Sequence, residues 1–242
     1  MNSIRRNQVL SNHLRKLHAE SDAESFRAAR AQFRGTDQEF KKIAALYATL
    51  PPQEQALLLE SNGIAIQAPE LSLAVSANMG EFLFHIAVSR RATSILELGS
   101  SRGTSTLYLA EALRLTGGDK VVATELEPAK CRTLLESVTA VGLTDYVDLR
   151  QGDVFSTIEK LRGPFDLIFI DIWASGYLDI FKSAERLMAP GTVILADNML
   201  TAAREVQPFK EYLERQDHIS STTLAFESGV EFAVVVGETC SG

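Results

Sequence analysis

From residue 71 onward, short apolar runs alternate with helical stretches. No other feature of the chain constrains its fold as tightly. The runs are Ser94–Leu98, Val121–Thr124, Val147–Leu149, Leu167–Ile170 and Val193–Ala196. They are nearly continuous in Val, Ile and Leu, which suits parallel strands covered on both faces. A helix is predicted over Asn78–Ser89, ahead of the first run. Strands alternating with helices at this spacing are βαβ units, so the expected fold is α/β and Rossmann-like. The end of the chain differs. Ser220–Ala225 and Glu231–Val236 flank a short turn containing Gly229 and read as an antiparallel hairpin at one edge. The expectation is a seven-stranded mixed sheet, parallel with a C-terminal antiparallel hairpin, flanked by helices. Pro208 is expected to start a helix near Val206–Arg215, where its missing N–H is harmless.

The first 70 residues are expected to be an N-terminal helical cap, either a lid or a dimer contact, and residues 71–242 the main domain. Ile4, Val9, Leu10, Leu14 and Leu17 recur at helical spacing, as do Phe26, Ala29 and Phe33, then Phe40, Ile43, Ala44 and Tyr47. Gly35 and Pro51-Pro52 punctuate these stretches. Net charge is −7 but unevenly spread: residues 1–50 are basic and the rest strongly acidic. An acidic main domain repels a phosphate backbone, which argues against nucleic acid as partner. The basic stretch reads as the solvated face of helices packed on that domain. No apolar run reaches the ~18 residues of a membrane span, and the N-terminus is too polar for a secretory leader. A cytoplasmic protein that does not bind membranes is expected. Cys131 and Cys240 form no CxxC pair and read as plain reduced thiols. None of His13, His18, His85 and His218 sits in a site pattern, although His13 and His18 fall where a lid would be.

The first strand runs into ELGSSRGTS, residues 97–105. Gly99 and Gly103 bracket a loop between strand and helix. Glycine lets backbone approach a ligand, and free N–H groups at the helix start can meet an anionic group. A nicotinamide dinucleotide requires G-x-G-x-x-G, but here Ser101 stands where the second glycine belongs. S-adenosylmethionine (SAM) carries no pyrophosphate and ends in a carboxylate, so it fits better. A tight turn is the plainer alternative. Glu125 lies at the tip of the second strand, where a carboxylate can accept from both ribose hydroxyls. Asp153 is at the tip of the third and can accept from an adenine amino group while Val154 packs on the ring. Asp153 is equally suited to cap the next helix.

Taken together, ILELGSSRGTS, ATELEP, FIDIWASGY and GTVILADNML resemble the metal-dependent O-methyltransferases, the group of catechol and caffeoyl-CoA O-methyltransferases. The resemblance covers about residues 71–240 and is loose before them. It implies a class I SAM-dependent methyltransferase that binds Mg²⁺ or another divalent cation through Asp171, Asp197 and Asn198. Asp171 ends the fourth run and Asp197-Asn198 the fifth, so neighbouring strand tips bring a hard oxygen set to one edge. The alternative is a polar turn after a buried strand. The resemblance also puts Val75 over the cofactor, Glu97 and Ser105 at its methionine end, and Ile172 beside the adenine. Asp171, Trp173 and Tyr177 take the catalytic positions, with Trp173 walling the transfer site.

One position departs from the family. Ala174 stands where it places a general-base lysine, three residues after the first metal aspartate. Lys182 is nearby in sequence but belongs to the following helix. The expected activity is methyl transfer from SAM to a hydroxyl of a small, catechol-like or vicinal-hydroxyl molecule, by a homodimer. Ala174 keeps two other readings open: a metal-independent or non-methylating SAM enzyme, and a non-catalytic SAM-binding subunit. A dehydrogenase is a distant fourth.

Overall fold

The computed structural model describes residues 4, 7–50, 52–64 and 74–237. The boundary expected at residue 70 and Cys240 lie outside the described residues. Three helices come first: α1 (Gln8–Gln32), α2 (Asp37–Tyr47) and α3 (Pro52–Ser61). The sequence suggests two apolar segments in the first of these stretches, but α1 is a single helix. Its middle, HAESDAES, holds no Gly or Pro to break it. Leu10, Leu14 and Leu17 are buried, whereas Val9 is off the stripe and exposed. Thr36 opens α2 with a capping box, exchanging hydrogen bonds with Glu39. Phe26 of α1 and Phe40 of α2 meet edge-on, ring centroids 5.1 Å apart.

The main sheet then builds in alternation: α4 (Ala77–Ser89), β1 (Ile95–Leu98), α5 (Thr104–Thr116), β2 (Val121–Glu125), α6 (Pro128–Ala140), β3 (Val147–Gln151), α7 (Val154–Ile158), β4 (Leu167–Ile170), α8 (Tyr177–Ala184), β5 (Val193–Ala196), α9 (Gln207–Glu214), β6 (Ile219–Leu224) and β7 (Val230–Val235). Seven strands lie in the order β3-β2-β1-β4-β5-β7-β6. The first five run parallel, and β7 pairs antiparallel with both β5 and β6. This is the expected seven-stranded mixed sheet. Pro208 sits in the first turn of α9, as its chemistry requires. Two strands run further than their apolar residues: β2 reaches Glu125 and β3 reaches Gln151, because these two pair with each other.

Alternate strand residues feed two cores. Ile95, Leu167, Phe169, Val193 and Leu195 face α4, α5 and α6, and the leucines of α1 join them. Leu96, Leu98, Ile168, Ile170, Ile194 and Ala196 face α8 and α9. Burial on both sides explains why period-2 polarity is absent from these strands. The chain winds from β1 toward β3 on one side and from β4 toward β5 on the other. That reversal leaves a crevice at the carboxyl ends of β1 and β4, the place where open α/β sheets bind ligands.

Candidate active site

A cleft opens at this reversal, lined by Ala74, Val75, Gly99, Ser100, Ser101, Arg102, Thr104, Ser105 and Asp171. Gly99 has φ +93°, and a Cβ there would stand 2.3 Å from the Asp171 carbonyl oxygen. Only glycine lets the loop after β1 lie against the loop after β4. Gly103 has φ +90°, and its missing Cβ makes room for Leu134 of α6. Ser101 between them also adopts a left-handed backbone, φ +46°. Because Gly103 has no side chain, α5 starts without a side-chain cap. Its first amides are therefore left for a ligand. Thr124 ties the loop to β2: it donates to the Glu97 carbonyl at 3.2 Å and its hydroxyl accepts from Gly99 N, also at 3.2 Å.

Glu97 points from β1 toward α5 and is fully buried. Burial pushes its carboxyl up to about 7, against the pull of the Ser105 and Thr106 hydroxyls, and the negative charge of Glu125 adds to the rise. Thr106 Oγ1 donates to Oε2 at 2.5 Å. Oε1 is buried with no hydrogen-bond partner among the described residues. A carboxylate oxygen so placed is completed by a donor, ideally a cationic one. Val75 is buried at the cleft wall. Glu125 is the last residue of β2, and its Oε1 accepts from Glu127 N at 2.8 Å. Asp153 is exposed and caps α7, accepting from Ser156 N at 2.8 Å. That hydrogen bond holds its carboxyl below the usual range. Val154 is half-buried against the second core.

The tips of β4 and β5 bring Asp171, Asp197 and Asn198 together. Asn198 Nδ2 lies 3.1 Å from Asp171 Oδ1, and Asn198 N donates to Asp197 Oδ1 at 2.7 Å. Asn198 holds φ +64°, a conformation asparagine tolerates better than most residues. Asp171 keeps some accessible surface toward the cleft, while Asp197 is buried. Both carboxyls are pushed up. For Asp171 burial comes first, then the charges of Asp197 and Glu97. For Asp197 burial again leads, opposed by Ser228 and Asn198. Among the described residues neither aspartate has a basic partner. Two adjacent carboxylates and an amide oxygen, without a counter-charge, fit a hard divalent cation. Turning the amide would present Oδ1 in place of Nδ2, a choice that the hydrogen-bond network sets.

Ile172 is half-buried beside Gly99, and Trp173 is exposed at the rim. Tyr177 is wholly buried, and its hydroxyl donates to the Asp197 carbonyl at 3.0 Å. It therefore holds the backbone of Asp197 and does not line the cleft. Ala174 is buried. Lys182 sits over the ring of Tyr212, 4.8 Å from its centroid. His18 bonds the Tyr108 hydroxyl at 3.2 Å, and burial lowers its pKa. Sequence reasoning did not find Thr106, Thr124 or Ser228, whose hydroxyl donates to Asp197 Oδ1. Each is an ordinary hydroxyl residue; the partners of Thr124 and Ser228 are distant along the chain, and Thr106 meets Glu97 only once the loop folds α5 back against β1.

Comparison with known proteins bears on the family and the fold. A family model described as a methyltransferase domain matches residues 96–199. A catechol O-methyltransferase of Niastella koreensis is 36% identical over 152 residues, which is 61% of this chain and 67% of that one. Caffeoyl-CoA O-methyltransferase 1 of Eucalyptus globulus is 28% identical over 65% of each chain. The chain thus spans about two thirds of the length of these relatives. The crystal structure of an O-methyltransferase from Bacillus cereus in complex with SAH superposes with a TM-score of 0.64 at 27% identity, covering 76% of this chain and 90% of that one. Identity above a third to a catechol enzyme, carried on this strand order, places the chain in the class I SAM-dependent O-methyltransferases, the family of the catechol and caffeoyl-CoA enzymes.

Proposed function

We propose that the chain methylates one hydroxyl of a small, catechol-like molecule whose neighbouring oxygens chelate a divalent cation, Mg²⁺ in the simplest case, held by Asp171, Asp197 and Asn198. One observation carries this reading. Two carboxylates and an amide meet at adjacent strand tips, next to the glycine cleft, with no basic partner among the described residues. When bound, such a cation lowers the pKa of a coordinated hydroxyl.

The chain's residues supply position. In-line displacement at a sulfonium needs the attacking oxygen about 3 Å from the methyl carbon, opposite the sulfur. Glu97, with its unpartnered oxygen, takes the amino group of the cofactor's methionine end, and Ser105 and the start of α5 take its carboxylate. Glu125 takes the ribose. Asp153, Val154 and Ile172 flank the adenine. Gly99, Ser101 and Gly103 shape the loop, and Val75 covers it. Trp173 walls the acceptor side, where its exposed ring can stack on an aromatic substrate. Tyr177 positions Asp197 through its backbone. Ala174 takes no proton, and Lys182 is engaged elsewhere, so the hydroxyl proton leaves to water. The exposed apolar residues Leu46, Tyr47 and Leu57 of α2 and α3 suit a contact with a second copy.

The test is a catechol-methylation assay with Mg²⁺, with EDTA, and with Asp197→Ala. EDTA and the substitution are each expected to lower turnover at least 100-fold. Full activity in EDTA would remove the cation's role, and normal turnover by Asp197→Ala would remove this ligand set. The buried Ala174 favours one other reading, a SAM-dependent enzyme without a metal-activated oxygen. Tight SAM binding with no transfer to any catechol in Mg²⁺ would support it.

A further inference from the structure

Leu10, Leu14, Leu17, Ser21 and Glu24 recur at alternating four- and three-residue spacing and form one stripe along α1. The three leucines are buried in the core beneath α1. Toward the C-terminal end of the helix the same stripe turns polar. Ser21 is buried, and its Oγ accepts from Ala74 N at 3.2 Å. Glu24 Oε1 takes a hydrogen bond from Arg102 Nη1 at 2.8 Å, with both side chains about three-quarters enclosed. Ala74 and Arg102 both line the cleft, one from the segment before α4 and the other from the glycine loop.

Packing alone does not account for this change of character. An apolar residue at position 21 would leave Ala74 N without its acceptor, and one at position 24 would leave the enclosed Arg102 without its carboxylate, so both polar side chains serve groups of the cleft wall. Glu24 Oε2 is moreover buried with no hydrogen-bond partner among the described residues, which carries a desolvation cost. Polar groups kept at such a cost, where a helix crosses a ligand cleft, mark a functional constraint.

We infer that Ser21 and Glu24 are positioning residues for cofactor binding. Through Ala74 and Arg102 they hold two walls of the cleft at ligand-ready spacing, so docking of α1 and occupancy of the cleft strengthen each other. The inference rests on the cleft being the cofactor site. Coupling of this kind is reciprocal: whatever α1 adds to cofactor affinity, cofactor adds to the protection of α1.

The experiment uses the full chain and S-adenosylhomocysteine as probe. Affinity is measured by calorimetry for the unmodified chain, Glu24→Gln and Ser21→Ala, and amide hydrogen exchange of α1 is followed with and without probe. The expected result is affinity about fivefold weaker in each variant, the loss of about one hydrogen bond to a cleft wall. The probe is expected to slow exchange over residues 18–32 in the unmodified chain, and to do so less in Glu24→Gln. A merely structural role would lower melting temperature without touching that ligand-dependent protection. If Glu24→Gln melts early, the paired exchange Glu24→Arg with Arg102→Glu is measured, and recovery of affinity supports the inference. No binding by the unmodified chain would reject the cofactor reading and the inference with it. Normal binding by that chain, with unchanged affinity and α1 protection in both single variants, would overturn the inference alone.

Discussion

The hydroxyl of Ser228, in the turn between β6 and β7, reaches the carboxylate of Asp197. The same turn accepts backbone hydrogen bonds from Met199, Leu200 and Thr201, so the hairpin braces the loop that carries Asp197 and Asn198. Gly229 makes this approach possible, since a Cβ there would stand 2.4 Å from Leu200 Cγ. A group that orients a ligating carboxylate commonly controls metal affinity more than it controls folding. Ser228→Ala is therefore expected to weaken Mn²⁺ or Mg²⁺ binding about tenfold in a calorimetric titration. Its effect on folding stability should stay near 1 kcal/mol. Equal affinities would show that Asp197 keeps its orientation without help.

At the opposite end of the sheet, Asp166 joins the starts of β1 and β4. It accepts from Thr93 N at 2.6 Å, Thr93 Oγ1 at 2.8 Å and Ser94 N at 3.1 Å. Partial burial raises its pKa, but these hydrogen bonds and the charge of Arg90 outweigh that and hold it below 3.8. A carboxyl depressed on folding adds stability that is complete above its unfolded value and is lost as pH falls through the folded one. Asp166→Asn should cost about 1–2 kcal/mol in urea unfolding at pH 7. The gap between the two proteins should close as pH drops below 3.8. Cofactor affinity at pH 7 should stay unchanged, because the strand starts lie away from the cleft. A gap constant down to pH 3 would mean that the carboxylate's charge contributes nothing.

For the molecule as a whole, the ligand site is a seam. The cleft takes residues from the segment before α4, from the loop after β1 and from the tip of β4, and α1 leans on two of these. A ligand bound there stabilises the assembled state by mass action. S-adenosylhomocysteine at 100 times its Kd should raise unfolding stability by about 2.7 kcal/mol. That corresponds to a rise of roughly 5–10 °C in melting temperature. A melting temperature that does not respond to it would argue that the cleft stays empty. Charge plays an unexpected part in this seam. The basic N-terminal stretch meets the acidic domain through an acidic residue, Glu24, and a basic one, Arg102. Summed charge locates regions that attract or repel. It does not choose the pairs.

Periodicity in the sequence was enough for the five parallel strands, the closing hairpin and the tips on which Glu125, Asp153, Asp171 and Asp197-Asn198 sit, because burial on both faces writes itself as continuous apolar runs. The glycines at 99 and 103 were legible for the same reason: a conformation closed to other residues leaves a visible mark. Tertiary structure alone decided that β7 lies between β5 and β6, that α1 is one helix, that Tyr177 is core, and that Thr106, Ser228, Ser21 and Glu24 bond residues of the candidate site. Those contacts join residues far apart along the chain or hydroxyls of unremarkable type. Their meaning comes from what stands opposite, and only the folded chain supplies that.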